Sequence, residues 1–174
     1  NDKLLSVFYH TKSDALWVTT RTGLAKLNPQ TRNLEFVALN GKSGYSINID
    51  DDGDIWYGGY SDGLYVYRPS EDRVIKQWPL SLTTRIVLDD NENAWLSTVS
   101  GLFVANKLTG DLTSVSEFTD KISDQTVVTW ISQSKRGGYW IGTQAAGLFF
   151  MSKEGSDLST IKVTQIKPES RLSN

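Results

Sequence analysis

The 174-residue chain is predicted to be all-β, a β-propeller segment of four blades with four antiparallel strands each. Three observations carry that prediction. A tryptophan-centred segment recurs in phase, with Trp17, Trp56, Trp95 and Trp140 standing 39, 39 and 45 residues apart. A Gly-Leu pair follows each copy, at Gly23-Leu24, Gly63-Leu64, Gly101-Leu102 and Gly147-Leu148. Residues on both sides of the tryptophan strand are apolar (Leu16 and Val18, Ile55 and Tyr57, Ala94 and Leu96), so that strand is covered on both faces. A four-stranded unit of about 40 residues covered on both faces by copies of itself is a propeller blade, not half of a sandwich.

The elements follow in order within each copy. First strands are expected at Leu5 to Tyr9, Tyr45 to Ile49, Arg85 to Leu88 and Val127 to Ser132. Turns rich in Asp, Asn and Gly come next (Asp50-Asp51-Asp52-Gly53-Asp54, Asp89-Asp90-Asn91-Glu92-Asn93, Lys135-Arg136-Gly137-Gly138), because these residues tolerate positive φ or bond their own backbone. The tryptophan segment is the second strand. Third strands start at each Gly-Leu and end at Leu27, Tyr67, Ala105 and Met151. After a further turn, fourth strands are expected at Leu34 to Leu39, Val74 to Trp78, Leu112 to Phe118 and Ile161 to Ile166. The position two beyond each tryptophan is small (Thr19, Gly58, Ser97, Gly142), as close packing near a narrowing axis requires. Blades are expected at about 3–39, 40–80, 81–118 and 119–168, with 169–174 opening another.

Composition narrows the function. With no cysteine there is neither a disulfide framework nor a thiolate nucleophile, and a lone histidine, His10, forbids a three-His metal site within this chain. A Ser-His-Asp relay would have to run through His10 alone. A net charge of −2 argues against nucleic-acid binding, and no apolar run approaches the roughly 20 residues of a membrane-spanning helix.

At these residues the sequence resembles the two-component regulator propeller repeat. The likeness is closest in Tyr139-Trp140-Ile141-Gly142-Thr143 with Gly147-Leu148, and in Asp50 through Gly59 with Gly63-Leu64. The first copy departs most, with Ser13-Asp14 at the turn and Thr19 in place of Gly. The terminal Leu172-Ser173-Asn174 is similar to the segment that opens a further repeat. The resemblance implies a larger ring of about seven blades, completed by further blades of the same chain or by a second copy. It also implies a periplasmic, non-catalytic sensor of a small molecule or oligosaccharide, anchored to the inner membrane only through segments outside this sequence. The family motif is structural and assigns no ligand residues, cofactor or metal.

In a propeller the loops joining second to third strands, and fourth to next first strands, share one face. One set supplies Arg21, Tyr60, Ser100 and Gln144; the other supplies Asn40 to Gly44, Ser81 to Thr84 and Thr119 to Thr126, with Tyr45 and Arg85 starting first strands beside the axis. The last loop accounts for most of the longer final spacing and contributes Asp120, Lys121, Asp124 and Gln125. Aromatic rings stack on sugar faces, and Arg, Asp and amide groups bond hydroxyls, so Arg21, Tyr45, Tyr60, Arg85, Asp120, Lys121, Asp124, Gln125 and Gln144 form the candidate ligand set. The competing reading is ordinary solvated loop residues. The Asp50–Asp54 run is oxygen-rich like a calcium loop but lacks a distal Glu, and reads as a hairpin turn. The four repeated tryptophans read as core; Trp78 and Trp130 break the period. Competing functions are a propeller lyase or hydrolase of the streptogramin-lyase type, whose repeats are similar but need His and Glu near a metal, a quinoprotein dehydrogenase, and a protein-interaction scaffold.

Overall fold

The computed structural model describes residues 3–89, 93–122, 126–152 and 160–167. They form four sheets of four antiparallel strands, each in simple up-and-down order. The first holds β1 (Leu4–His10), β2 (Ala15–Thr20), β3 (Leu24–Leu27) and β4 (Leu34–Ala38), and the second β5 (Gly44–Ile49), β6 (Ile55–Gly59), β7 (Leu64–Arg68) and β8 (Arg73–Trp78). The third holds β9 (Thr83–Leu88), β10 (Asn93–Thr98), β11 (Gly101–Asn106) and β12 (Leu112–Ser114). After the short helix α1 (Ser116–Thr119) comes the fourth, β13 (Val128–Gln133), β14 (Tyr139–Thr143), β15 (Leu148–Ser152) and β16 (Lys162–Ile166). Consecutive first strands are neighbours, β1 on β5, β5 on β9 and β9 on β13, which makes them the hub of the arc.

Three apolar cores fill the seams between successive blades. Trp17 and Leu24 meet Ile47, Ile55 and Tyr57 at the first seam; Trp56, Leu64 and Trp78 meet Ile86, Ala94 and Leu96 at the second; Trp95 and Leu102 meet Ile131, Tyr139 and Phe149 at the third. Among the described residues no such core joins the first blade to the fourth. In the second blade the small position two beyond the tryptophan has the predicted cause. A Cβ on Gly58 would stand 2.8 Å from Thr83 Cβ of the following blade, so only glycine lets β9 cross there. Gly63 of the Gly-Leu pair sits at φ +123°, and a Cβ would lie 2.6 Å from the Trp78 carbonyl oxygen of the adjoining strand.

Asp50 explains why the turn opens on an aspartate. Its Oδ1 accepts the backbone N–H groups of Asp52 (3.1 Å) and Asp54 (2.9 Å), and its Oδ2 accepts the indole N–H of Trp56 at 3.0 Å. Asp89 repeats the device on Asn93 N–H and the Trp95 indole. One side chain therefore shapes the hairpin and fixes the next core ring.

Two expectations are corrected. The fourth strand of the third blade ends at Ser114, not Phe118. Val115 and Phe118 are both buried in the third seam; a strand would point residues three apart to opposite faces, whereas the α1 turn aims both inward. Trp140 is not core like its three counterparts but 40% exposed, because the face it lies on has no described blade against it. Among the period-breakers, Trp78 is plain core, stacked on Trp56 at 5.6 Å, while Trp130 is half exposed at the hub. The turn residues Asp90, Asn91 and Glu92, the turn at Lys153–Gly155 and the terminal Leu172–Asn174 lie outside the described residues.

Candidate ligand-binding face

The residue that ends each tryptophan strand is tied back to the start of its own blade. Arg21 N–H donates to Lys3 O (3.2 Å), Tyr60 N–H to Ser43 O (2.7 Å) and Gln144 N–H to Val127 O (2.9 Å). Lead-in segments are stitched to the preceding blade's loop, with Gly41 N–H on Thr22 O (2.8 Å) and Leu82 N–H on Tyr60 O (2.9 Å). In the third blade the matching position is Val99, part of a tighter turn, and Ser100 is a plain turn residue whose N–H bonds Thr98 Oγ1.

Between the first and second blades this stitching leaves a cavity of about 420 Å³ lined by Lys3, Leu5, Arg21, Ser43, Tyr45 and Tyr60. The structure thus brings together Arg21, Tyr45 and Tyr60 of the predicted set. All three side chains are exposed, Tyr45 and Tyr60 at 42% and 55%. Lys3 and Leu5 were missed. Leu5 sits at a β-bulge opposite Thr19 and Thr20, and Tyr45 occupies the same bulge in the second blade, so aligning the copies through register finds it.

The other predicted residues are elsewhere. Arg85 lies at the hub of the third blade, its guanidinium 4.1 Å from the centre of the Trp130 ring. Ser46 and Arg85 pair with the small position of their own blades, as Trp130 does with Gly142, so Arg85 and Trp130 replace a hub serine with two large side chains. Gln144 is exposed on the fourth blade's loop. Lys121 pairs with Glu117 at 2.8 Å, and Asp120 caps α1 through its N–H on Ser116 O. Part of that inserted loop serves the core, since Ile122 packs on the third seam. Asp124 and Gln125 lie outside the described residues.

On the opposite face a smaller cavity of about 270 Å³ lies among Asn48, Asp50, Asp51, Trp56, Asp89 and Asn93, but its Asp50 and Asp89 carboxylates are already used by backbone and indole donors. The carboxylates of Asp50, Asp52 and Asp54 converge beside it, their oxygens within 4.8 Å of one another. The place of a cation is taken by the buried ammonium of Lys107 from the third blade, at 2.7, 2.7 and 3.3 Å. Arg68 adds a bidentate contact to Asp54, at 2.8 and 2.7 Å. Burial pushes the Asp54 carboxyl up, yet the Arg68 and Lys107 contacts outweigh it and hold the group below the usual carboxylate range. Burial likewise opposes charge on Lys107, and the Asp50 and Asp52 contacts reverse it, raising the ammonium above the ordinary lysine range. His10 ends β1 at the exposed β1–β2 turn on this side, its Nδ1 2.7 Å from Ser13 Oγ.

No protein-family model matches the chain, and no curated protein matches it by sequence. Solved structures do match. The extracellular domain assigned to a one-component system, BT4673 of B. thetaiotaomicron, superposes with a TM-score of 0.74 at 14% identity over 97% of this chain and 25% of that one. The extracellular domain of a hybrid two-component system, BT3049 of the same organism, gives 0.74 at 21% identity over 96% of this chain and 22% of its own. Saccharomyces cerevisiae Sqt1 gives 0.61 at 16% identity over 87% and 46%. The chain therefore spans about a quarter of the length of the two bacterial domains. Its fold is one found in the extracellular domains of bacterial one- and two-component systems.

Proposed function

We propose that this chain is a ligand-recognising, non-catalytic propeller segment of a membrane-anchored bacterial sensor, working in the periplasm on a small molecule such as an oligosaccharide. The observation that carries the reading is the cavity at the first seam. Its Arg21 and Tyr60 stand on loops and Tyr45 on the β5 bulge, all three exposed and outside the blade cores, and two exposed tyrosines beside an arginine suit a sugar. A cavity of that volume fits one or two sugar rings. The bacterial domains of like fold support a place outside the membrane in a signalling protein. Binding there would bias the arrangement of neighbouring blades and so the output.

The reading includes completion of the ring, with blades near 3–39, 40–80, 81–118 and 119–168 and a further one from 169. The outer face of the fourth blade favours it, since Trp130, Trp140, Leu148 and Ile166 are each 40% to 50% exposed on one sheet. Calorimetric titration of the protein with a panel of neutral and acidic oligosaccharides tests recognition, and chromatography of the same mixtures tests catalysis. Saturable binding that is lost in Tyr60→Ala, with every saccharide recovered intact, is the expected result. Turnover of a saccharide would replace the sensor by a lyase or hydrolase; no binding at any concentration would remove the ligand reading.

A further inference from the structure

Ion pairs are distributed unevenly between the two faces. On the face of the first-to-second-strand and third-to-fourth-strand turns, Lys12 meets Asp51, Arg68 meets Asp54 and Glu71, Arg73 meets Glu71, and Lys107 meets three aspartates, whereas the loop face holds the Lys121–Glu117 pair beside α1. On the loop face, Lys3 and Arg21 line the cavity at the first seam and, among the described residues, neither forms an ion pair with a carboxylate. Asp62, two residues beyond Tyr60, bonds the Ser61 hydroxyl and is not part of the lining. Two cations with no counter-charge among the described residues, in a cavity also lined by two tyrosines and Ser43, make a local positive potential beside aromatic rings.

We infer that the cavity between the first and second blades selects an anionic saccharide, with Lys3 and Arg21 holding a carboxylate or sulfate on a sugar ring while Tyr45 and Tyr60 stack on its faces. The inference rests on the ligand-sensing reading above and narrows it to acidic sugars. The guanidinium supplies a planar pair of N–H donors that matches a carboxylate or sulfate edge, and the ammonium adds a second point charge. A neutral sugar would leave both cations without a partner and gain only the stacking.

Titration of the protein with trigalacturonate, its fully methyl-esterified form and a sulfated galactose trimer separates the terms. One acidic trimer should bind about tenfold tighter than the ester, the effect of one charge-assisted bidentate contact, and the advantage should shrink as salt rises. The acid that wins, carboxylate or sulfate, identifies the source of the charge. Arg21→Gln, and separately Lys3→Gln, should bring acid and ester within about twofold of each other, with unchanged thermal midpoints because both side chains are exposed. Equal binding of acid and ester, or a preference that survives in both variants, overturns the inference. Binding of neutral glycans alone, lost in Tyr60→Ala, overturns it while leaving the ligand reading intact; no saccharide binding overturns both.

Discussion

The seam between the second and third blades and the outer face of the fourth carry the same repeat residues under opposite conditions. At the seam Trp56 is 1% exposed, lies parallel to Trp78, and donates its indole N–H to Asp50. Lys107 reaches across to the second blade's aspartates, Trp78 donates to Gly110 O at 2.7 Å, and Ser46 Oγ and Asn48 Nδ2 donate to the Thr83 and Ile86 carbonyls. On the fourth blade Trp140 has Ser134, not aspartate, six residues before it, and leans on Phe150 at 4.7 Å. The repeat determines which side chain stands at a position, whereas the neighbouring blade determines how much free energy it contributes.

The sharpest way to break this comparison is to delete each indole. Trp56→Ala removes a fully packed ring and its hydrogen bond and is expected to cost about 3–5 kcal/mol. Trp140→Ala is expected to cost about 1 kcal/mol, because much of the ring is already in water. Urea unfolding of both variants measures the gap; equal losses would mean that the fourth face is covered in solution.

Next in size is Lys107→Met, which leaves Asp50 and Asp52 without their cation and Asp54 with Arg68 alone. Full burial would put the loss near 3–5 kcal/mol, but Asp52 is 61% exposed, so about 2–3 kcal/mol is expected. The pH dependence has a definite sign. Asp54 is held below the usual carboxylate range, so its contribution is complete above the unfolded value near 3.9 and is lost as pH falls through the lower folded value. Lys107 is raised, so its contribution is complete below about 10.4 and is lost only as pH rises beyond that. The penalty of Lys107→Met should be flat across neutral pH and shrink below about pH 4. Thermal midpoints of both proteins from pH 7 to pH 2 check it, and a penalty that persists in acid would assign the role of Lys107 to packing.

Most of the fold was legible because the repeat states it four times. Strand starts and ends from Ala15 to Thr20 or from Ile55 to Gly59 follow from the tryptophan and the two punctuating turns. Phe118 could not be placed that way, since an apolar residue after a strand-like run reads the same in a strand or on an inward turn. The Asp50–Asp54 run read correctly as a turn, but its clasp by Lys107 was hidden, because the partner lies 57 residues away from Asp50 in an unremarkable Lys-Leu-Thr-Gly turn. Of the site, loop membership was visible and proximity was not. Arg21, Tyr45 and Tyr60 converge only because the second blade's lead-in is stitched to the first blade's loop, while Arg85, like Tyr45 near the start of a first strand, is drawn off to Trp130.

The smallest expected difference is between Gly58→Ala and Gly142→Ala, and it reads the uncovered face directly. At Gly58 a methyl group meets Thr83 of the next blade and displaces Ser46, whose hydroxyl bonds the Thr83 carbonyl at 2.7 Å, so a loss of about 1–3 kcal/mol is expected. At Gly142 the nearest atoms are Trp130 Cβ at 3.5 Å and Thr129 Oγ1 at 3.7 Å, both ordinary contacts within the same blade. There the substitution only reduces the freedom of the unfolded chain and should be neutral or stabilising by up to about 1 kcal/mol. Urea unfolding at low and high protein concentration makes the pair diagnostic. If a second copy seats its first strand against β14, the Gly142→Ala cost should climb toward that of Gly58→Ala as concentration rises, since the methyl group would then block an approaching strand as it does at Gly58.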